Sequence, residues 1–413
     1  MTVLDDVDIL KWLDQEEAAR PRLEVRSANT NTLTSDTVTG TCFEIQREVL
    51  LSLLEKAIGV VPTRDMIPVY TNFQFRVAED QLQVVASSQE MSIVVSTTQI
   101  QTKVTGVEVF PARTLLAIIK ETSVGTSVYI EVTASGAVIV AGSFSAEIRM
   151  SSGKGFPTTA NLKDVVFHQV NRIKFIDAIT TVKYALPGKD YSGQDTMRMI
   201  NIKGGKFTAC DGSRFQQTRI EDFKLSLKLP TFSINSLLKI LSSSDQEMLE
   251  IGEVKGSIVF RLDNTIFYMN KLDDPYPNVE QLWLRPALSN DQELRVNRQQ
   301  LITAIKQVKI AADSDSNAIA MLLEDNQIKV VAKDTNNSAS AIIPCVWDGK
   351  PRTIVVNYTH LAEMLKAYNQ SECQIFLGED AKGRKAPILL KDSETQAIAT
   401  ISQMVAYRAG LTG

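Results

Sequence analysis

Few side chains in this 413-residue chain are equipped for bond-making chemistry: four cysteines, Cys42, Cys210, Cys345 and Cys373, and two histidines, His168 and His360. The cysteines lie far apart with no Cys-x-x-Cys pair, so neither a disulfide framework nor a zinc site is expected, and no metal or cofactor is foreseen. Asp211 and His360 are the residues an enzyme acting on nucleic acid or nucleotides would use. Around them stand no paired carboxylates at metal spacing, no glycine-rich phosphate loop and no nucleophile–base pair. A histidine at a helix N-terminus is most simply a solvated or capped side chain.

The more informative stretch is Lys206 to Phe215, Lys-Phe-Thr-Ala-Cys-Asp-Gly-Ser-Arg-Phe. Its alternation of apolar and polar residues runs into Asp211-Gly212, a strong turn signal, which predicts a strand ending in a tight turn. Gly212 is free to take positive φ and to let a partner approach the backbone, with Ser213, Arg214 and Phe215 offered beside it. By itself an Asp-Gly pair is a hairpin turn and no more.

What positions that turn is a chain that repeats itself three times. The helical runs Leu50–Ile58, Phe175–Lys183 and Leu301–Lys309 match in their apolar positions at offsets of 125 and 126 residues. A second set, Ala112–Ile119, Ile234–Leu241 and Tyr358–Leu365, recurs at offsets of 122 and 124. Two independent helices with nearly one period mark a structural repeat. The stretches Ala78–Val85, Ile202–Ala209 and Leu323–Val330 read as one hairpin repeated. Each repeat is therefore expected to be an α+β domain of two helices packed on antiparallel strands, with bounds 41–160, 161–287 and 288–413.

Residues 1–40 stand apart. A short amphipathic pattern at Asp8–Leu13 is broken by Arg20-Pro21, and a Ser/Thr/Asn-rich stretch follows, so a flexible arm is expected, or a helix that docks on a partner or on the body of the chain. The N-terminus is acidic where a secretory signal would be basic, and no apolar run approaches the roughly 20 residues of a membrane span. A cytoplasmic protein without membrane contact is the expectation.

Net charge is −4, with 48 acidic and 44 basic residues, but the six repeat helices carry 12 basic residues against five acidic. If they share one surface, it is positive on a negative body and suits a phosphate backbone held without reading of sequence. The alternative is that lysine is simply a good helix former on a solvated face.

On these features the chain resembles the bacterial sliding clamp, the β subunit of DNA polymerase III, over about Cys42 to Arg408. The resemblance rests on the triplicated two-helix domain, on Ala209-Cys210-Asp211-Gly212-Ser213-Arg214-Phe215 (the family usually has Ala-Thr-Asp-Gly-His-Arg-Leu), on Phe156-Pro157 and Tyr276-Pro277, and on an arginine near the C-terminus. It implies a head-to-tail homodimer, a six-domain ring around duplex DNA that tethers a polymerase and serves as a non-catalytic processivity factor. DNA polymerase and clamp loader would dock as short linear peptides in a cleft between the second and third repeats. Carried over residue by residue, that cleft comprises Ile200, Cys210, Gly212, Ser213, Arg214, Phe215, Pro277, Leu282, Asn357, His360 and Pro387, with Met404, Val405, Ala406, Tyr407 and Arg408 of the tail.

The DNA-facing residues would be Arg64 and Arg198 by resemblance. From the helices come Lys56, Arg113, Lys120, Lys174, Lys183, Lys239, Lys306, Lys309 and Lys366. The subunit contact falls on Ala146, Ile148, Ala311 and Ala312. There the alanines are smaller than the family's usual residues, which implies a weaker dimer. In the tail Ala406 and Tyr407 replace the usual proline and second methionine, and His360 replaces a tyrosine, so a different peptide preference is implied. The arm has no family counterpart. A clamp-fold peptide-binding module that does not encircle DNA is the rival reading.

Overall fold

The computed structural model describes residues 40–188, 191–379, 385–392 and 396–404; the N-terminal arm lies outside them. Six helices of eight or more residues are present among the described residues: α1 Arg47–Ala57, α2 Ala112–Glu121, α3 Arg172–Lys183, α4 Thr231–Ser242, α5 Arg298–Val308 and α6 Tyr358–Lys366. They pack as α1 with α2, α3 with α4 and α5 with α6, each pair belonging to one of three sheet-rich units. The helices are held by one apolar stripe. In α1 this is Leu50, Leu53, Leu54 and Ala57, all buried, at the spacing that puts side chains on one face.

Each first helix begins one turn earlier than its apolar run, at Arg47, Arg172 and Arg298. For α3 and α5 the cause is a capping asparagine: the side chains of Asn171 and Asn297 accept from the backbone N–H of Lys174 and Gln300. Likewise α4 starts at Thr231, three residues before the expected Ile234, directly after Pro230 at the end of a strand. The three arginines share one job. Arg47 Nη2 donates to Lys120 O at 3.0 Å, Arg172 Nη1 to Leu241 O at 2.9 Å and Arg298 Nη1 to Leu365 O at 3.4 Å. Each guanidinium thus satisfies a carbonyl in the last turn of its partner helix, where positive charge is also favoured by the helix dipole. Arg172, nine-tenths buried, adds a bond from Nε to Gln246 O at 2.6 Å. Three of the twelve basic residues counted in the helices are therefore committed to packing rather than to a charged surface.

The strands form sheets of five, eight and twelve, and the two larger ones run across unit boundaries. Six strands govern this: β1 Met91–Thr97, β2 Phe144–Ile148, β3 Arg214–Arg219, β4 Thr265–Asn270, β5 Ser338–Val346 and β6 Ala397–Ile401. The first and second units join by antiparallel pairing of β1 with β4, the second and third by β3 with β6. Before β1, β3 and β5 lies the same four-residue turn, closed by Ser88 N–H to Met91 O, Asp211 N–H to Arg214 O and Asp334 N–H to Asn337 O. The turn makes Met91, Arg214 and Asn337 equivalent. Opposite Met91 stands Met269, and opposite Arg214 stands Ile401, so one register is used twice. The equivalents β2 and β5 lie at the first and third units, and among the described residues β5 has no partner across residues 338–344 on the side away from its hairpin.

One apolar core runs through the first two units, around Phe43, Phe75, Phe110, Phe175, Phe207 and Phe260, and a second fills the third unit. Arg172→Met, which leaves the Leu241 and Gln246 carbonyls without their donor, should cost about 2 kcal/mol of stability. A lowered urea midpoint at unchanged slope would show it; an unchanged midpoint would mean that the clamp between helices contributes nothing.

Candidate functional site

The strand Lys206–Cys210 and β3 form a hairpin whose outer-face side chains pair across it: Lys206 with Arg219, Thr208 with Gln217, Cys210 with Phe215. At its tip Asp211 makes the turn with its own side chain, Oδ1 accepting from the N–H of Ser213 at 2.9 Å and of Arg214 at 3.0 Å. Gly212 sits at φ +88°, a conformation that favours glycine, and its carbonyl accepts from Trp283 Nε1 at 2.9 Å. The turn is thus fixed on both sides, with Gly212 and Ser213 exposed at the surface.

Arg214 is nearly buried and fully engaged. Its Nε donates to Asp211 Oδ2 at 2.8 Å, its Nη1 pairs with Glu363 on α6, and the guanidinium lies over the Tyr184 ring at 5.6 Å from the centroid. Tyr184 in turn donates to Gln216 Oε1 at 2.6 Å. Two carboxylates against one guanidinium leave the spot net negative. His360, one turn before Glu363 on α6, faces the same group. Burial first, then the Arg214 charge, lower its pKa below the ordinary 6.5, against an opposing pull from Asp211 and Glu363. Asn357 caps α6, its side chain accepting from the N–H of Thr359 and of His360. The second unit supplies Arg214 and the turn; the third supplies His360, Glu363 and Asn357.

Beneath the turn lies a small apolar cluster of Met197, Cys210, Phe215, Val279, Leu284, Ala287 and Leu389. Burial pushes the Cys210 thiol up to about 12, so it is a protonated packing group at neutral pH. Leu282 is 59% exposed, Trp283 and Pro277 are half-buried, and in the third unit Pro387 O accepts from Asn290 Nδ2 at 2.9 Å. The segment reaching Met404 is placed by Ser402 N–H to Ser213 O at 2.8 Å and Met404 N–H to Val355 O at 2.7 Å.

Of the expected cleft residues, Gly212, Ser213, Arg214, Asn357 and His360 gather at this turn and the facing helix, Cys210 and Phe215 lie in the cluster beneath it, Pro277 lines the neighbouring groove, and Met404 packs on Ala318, Ala320 and Val355. Ile200 does not belong: it is fully buried with its side chain in the main core beside Ile202 and Phe207, because strand alternation puts Met199 and Asn201, not Ile200, on the outer face. Val405, Ala406, Tyr407 and Arg408 lie outside the described residues. Sequence reading missed Trp283, Tyr184 and Glu363. The spacing of His360 and Glu363, three apart on a helix, was the available signal for the last.

The basic residues divide. Lys56, Lys120 and Lys239 rim one hollow of about 580 Å³ between α1, α2 and α4; Lys174 and Lys366 line another of about 650 Å³ between α3 and the end of α6. Helices therefore adjoin across both unit boundaries. Arg64, Arg113, Lys183, Lys306 and Lys309 are exposed. Arg198 departs from expectation: it is spent on its own loop, donating to Gly188 O at 3.2 Å and Tyr191 O at 2.9 Å and pairing with Asp195. At the expected subunit contact, Ile148 and Ala311 are 7% and 2% exposed because each packs into its own unit's core, while neighbouring Ile310 is 79% exposed. Ala146 and Ala312 are half-buried.

Three continuous units with paired helices on joined sheets define the architecture of a sliding clamp. Residues 41–158 match the family model for the DNA polymerase III beta subunit, N-terminal domain. The beta sliding clamp of Synechococcus elongatus is 24% identical over 363 residues, covering 84% of this chain and 94% of that relative. That of Haemophilus influenzae is 21% identical over 347 residues, covering 81% and 92%. Among solved structures, the DnaN sliding clamp of Bartonella birtlesii bound to griselimycin superposes with a TM-score of 0.81 at 19% identity, over 88% of this chain and 100% of that one. The DNA polymerase III subunit beta of Pseudomonas aeruginosa gives 0.80 at 20%, over 88% and 99%. Over these lengths the chain is similar to the bacterial DNA polymerase III beta subunits at low identity, and it shares their fold.

Because its pKa is lowered, His360 is neutral at pH 7. The unfolded chain takes up this proton more readily than the folded one, so stability is full above about pH 6.5 and falls as pH drops through the folded value. Chemical unfolding from pH 7 to pH 5 should therefore show a steeper loss in the wild type than in His360→Gln; equal slopes would remove His360 from the account.

Proposed function

We propose that this protein is a DNA sliding clamp: a non-catalytic ring of two chains that encircles duplex DNA without sequence preference. It tethers a polymerase and other factors through peptides held in the cleft at Gly212, Ser213 and Arg214. The similarity to beta sliding clamps over most of the chain supports the class. The observation that carries the ring is the open third junction. The strands β2 and β5 are equivalent to those that join the units inside the chain, and each has an edge without a partner strand among the described residues. By the shared register, Ala339 of one copy stands opposite Ala146 of the other, as Ile93 stands opposite Phe267 and Gln216 opposite Ala399. Closing that pair leaves neither edge open.

Three repeats over 41–160, 161–287 and 288–413, doubled by two-fold symmetry, give six units and twelve helices around the hole. Lys56, Lys120, Lys174, Lys239 and Lys366 then lie where adjoining helix pairs meet, with Arg64, Arg113, Lys183, Lys306 and Lys309 beside them. Such a surface holds phosphates by charge alone and permits sliding. Among the described residues no helix is long and apolar enough to cross a membrane.

The rival, a peptide-binding module that does not close, draws on the side chains at the third junction. Alanine and serine stand there where the junction of the first and second units uses isoleucine, valine and phenylalanine, so less apolar area is removed from water than at that junction. Cysteines at Ala146 and Ala339 should form a disulfide between chains under mild oxidation, while Ala146→Cys with Ser338→Cys, one position out of register and on the opposite face, should not. The crosslinked ring should stay on nicked circular DNA after loading and run off once the DNA is cut. Failure to crosslink, or retention indifferent to cutting, would favour the module.

In the cleft, Arg214→Ala should abolish peptide binding and cost about 2 kcal/mol of stability by leaving Asp211 and Glu363 without their cation. Binding that survives with only the stability loss would make Arg214 a structural residue.

A further inference from the structure

On the same outer face of the second unit, beyond the cleft, lies a groove of about 960 Å³ walled by the segment that leads into the third unit. The strand register predicts its floor: Lys203 opposite Lys206, Lys206 opposite Arg219, Asn201 opposite Thr208 and opposite Lys228, all on one face. Five cations line it, Lys203, Lys206, Arg219, Lys228 and Lys271, against two carboxylates, Asp273 and Glu280. In a chain of net charge −4 this is a concentrated positive surface outside the helix layer. Three of the five are already occupied: Lys206 pairs with Glu280 at 3.2 Å, Lys271 with Glu253 at 2.5 Å, and Lys228 donates to the carbonyls of Asp273 and Asp274. Lys203 and Arg219 are exposed and make no ion pair among the described residues.

The groove and the cleft are two ends of one sheet face. Along a single strand the outward residues are Lys206 and Thr208, in the groove, then Cys210, in the cluster under the cleft. From Lys206 to Cys210 is about 13 Å at the rise of a strand, the reach of four extended residues. Between them stands the helical turn Glu280–Leu284: Glu280 accepts from Lys206 and from Gln217 Nε2 at 2.8 Å on the groove side, while Trp283 donates to Gly212 O on the cleft side.

We propose that this groove is a second subsite for the partner chain: it receives an acidic segment flanking the apolar motif held in the cleft, with Lys203 and Arg219 as the residues that recognise it. The inference rests on the cleft being a peptide site, as argued above. Continuity argues that the occupant is the same polypeptide, and the unpaired cations argue that it is acidic. The cleft itself is net negative around Arg214, so charge selection there runs the other way. The apolar motif supplies anchoring, and the groove supplies preference among partners and a faster encounter.

The test uses the full-length chain and five synthetic peptides, followed by calorimetry at low salt. These are the pentapeptide Ser-Leu-Ser-Leu-Phe alone, and versions extended at one or the other end by four glutamates or four glutamines. A glutamate tail at one end should tighten binding about tenfold over the glutamine tail, an advantage that fades at high salt. Lys203→Glu/Arg219→Glu should erase that advantage and leave the plain pentapeptide unaffected, since neither residue touches the cleft. Equal binding of glutamate and glutamine tails, or an advantage that survives in the double variant, would overturn the subsite. So would a tetraglutamate without the apolar motif binding as tightly as the tailed peptide, because the two sites would then be independent. If neither plain nor tailed peptide binds, the cleft reading falls and the subsite with it. Failure of the tail effect alone leaves the cleft standing.

Discussion

Antiparallel pairing of strands across unit boundaries is the constraint on which the rest of this structure depends. The pairings of β1 with β4 and of β3 with β6 use one register, set by the same four-residue turn and the same hairpin geometry. A slip by one residue would exchange Ile93 and Phe267, in the main core, for Val94 and Ile266, which pack in a separate apolar cluster on the opposite face, so the register is enforced by distinct packing on both sides. From it follow the side-by-side placement of the helix pairs, the hollows lined by lysine, and the position of Arg214 at the edge of one unit beside the helix of the next.

That last consequence explains why the functional residues gather where they do. The turn at 211–214 is a structural joint in all three units, built once as Ser-Gln-Glu-Met, once as Asp-Gly-Ser-Arg and once as Asp-Thr-Asn-Asn. At the second junction it carries a glycine with positive φ and an arginine able to reach the neighbouring helix. The arginine is held by Asp211 from its own turn and by Glu363 from the third unit, in surroundings dry enough to matter. The charges at the helix ends follow a different logic. Arg47, Arg172 and Arg298 look like members of a basic surface when counted in sequence, but geometry gives them to carbonyls.

Much of the architecture was legible in the sequence because repetition amplifies weak signals. One amphipathic run such as Leu50–Ile58 is ambiguous, whereas three at nearly equal offsets are not. The helix starts were less legible, since Asn171 and Asn297 act as caps that an apolar pattern does not register. For the cleft, the stretch from Cys210 to Phe215 was readable because turn chemistry is local. Ile200 was misplaced because a carried-over position says nothing of strand parity, and a shift of one residue changes the face. Glu363, Tyr184 and Trp283 meet Arg214 or Gly212 only through tertiary structure, at sequence separations that no local pattern spans. Arg198 shows the converse: a cation in the expected neighbourhood that its own loop consumes.

The arginine at 214 bridges two units rather than lying within one. Its carboxylate partners belong to different units, Asp211 to the second and Glu363 to the third. Any ligand touching both units therefore binds one inter-unit angle better than others. By thermodynamic reciprocity, whatever shifts the relative placement of the two units changes affinity for such a ligand by the same factor that the ligand shifts that placement equilibrium. Occupancy of a site between the second and third units and the angle between them would then be a single coupled equilibrium.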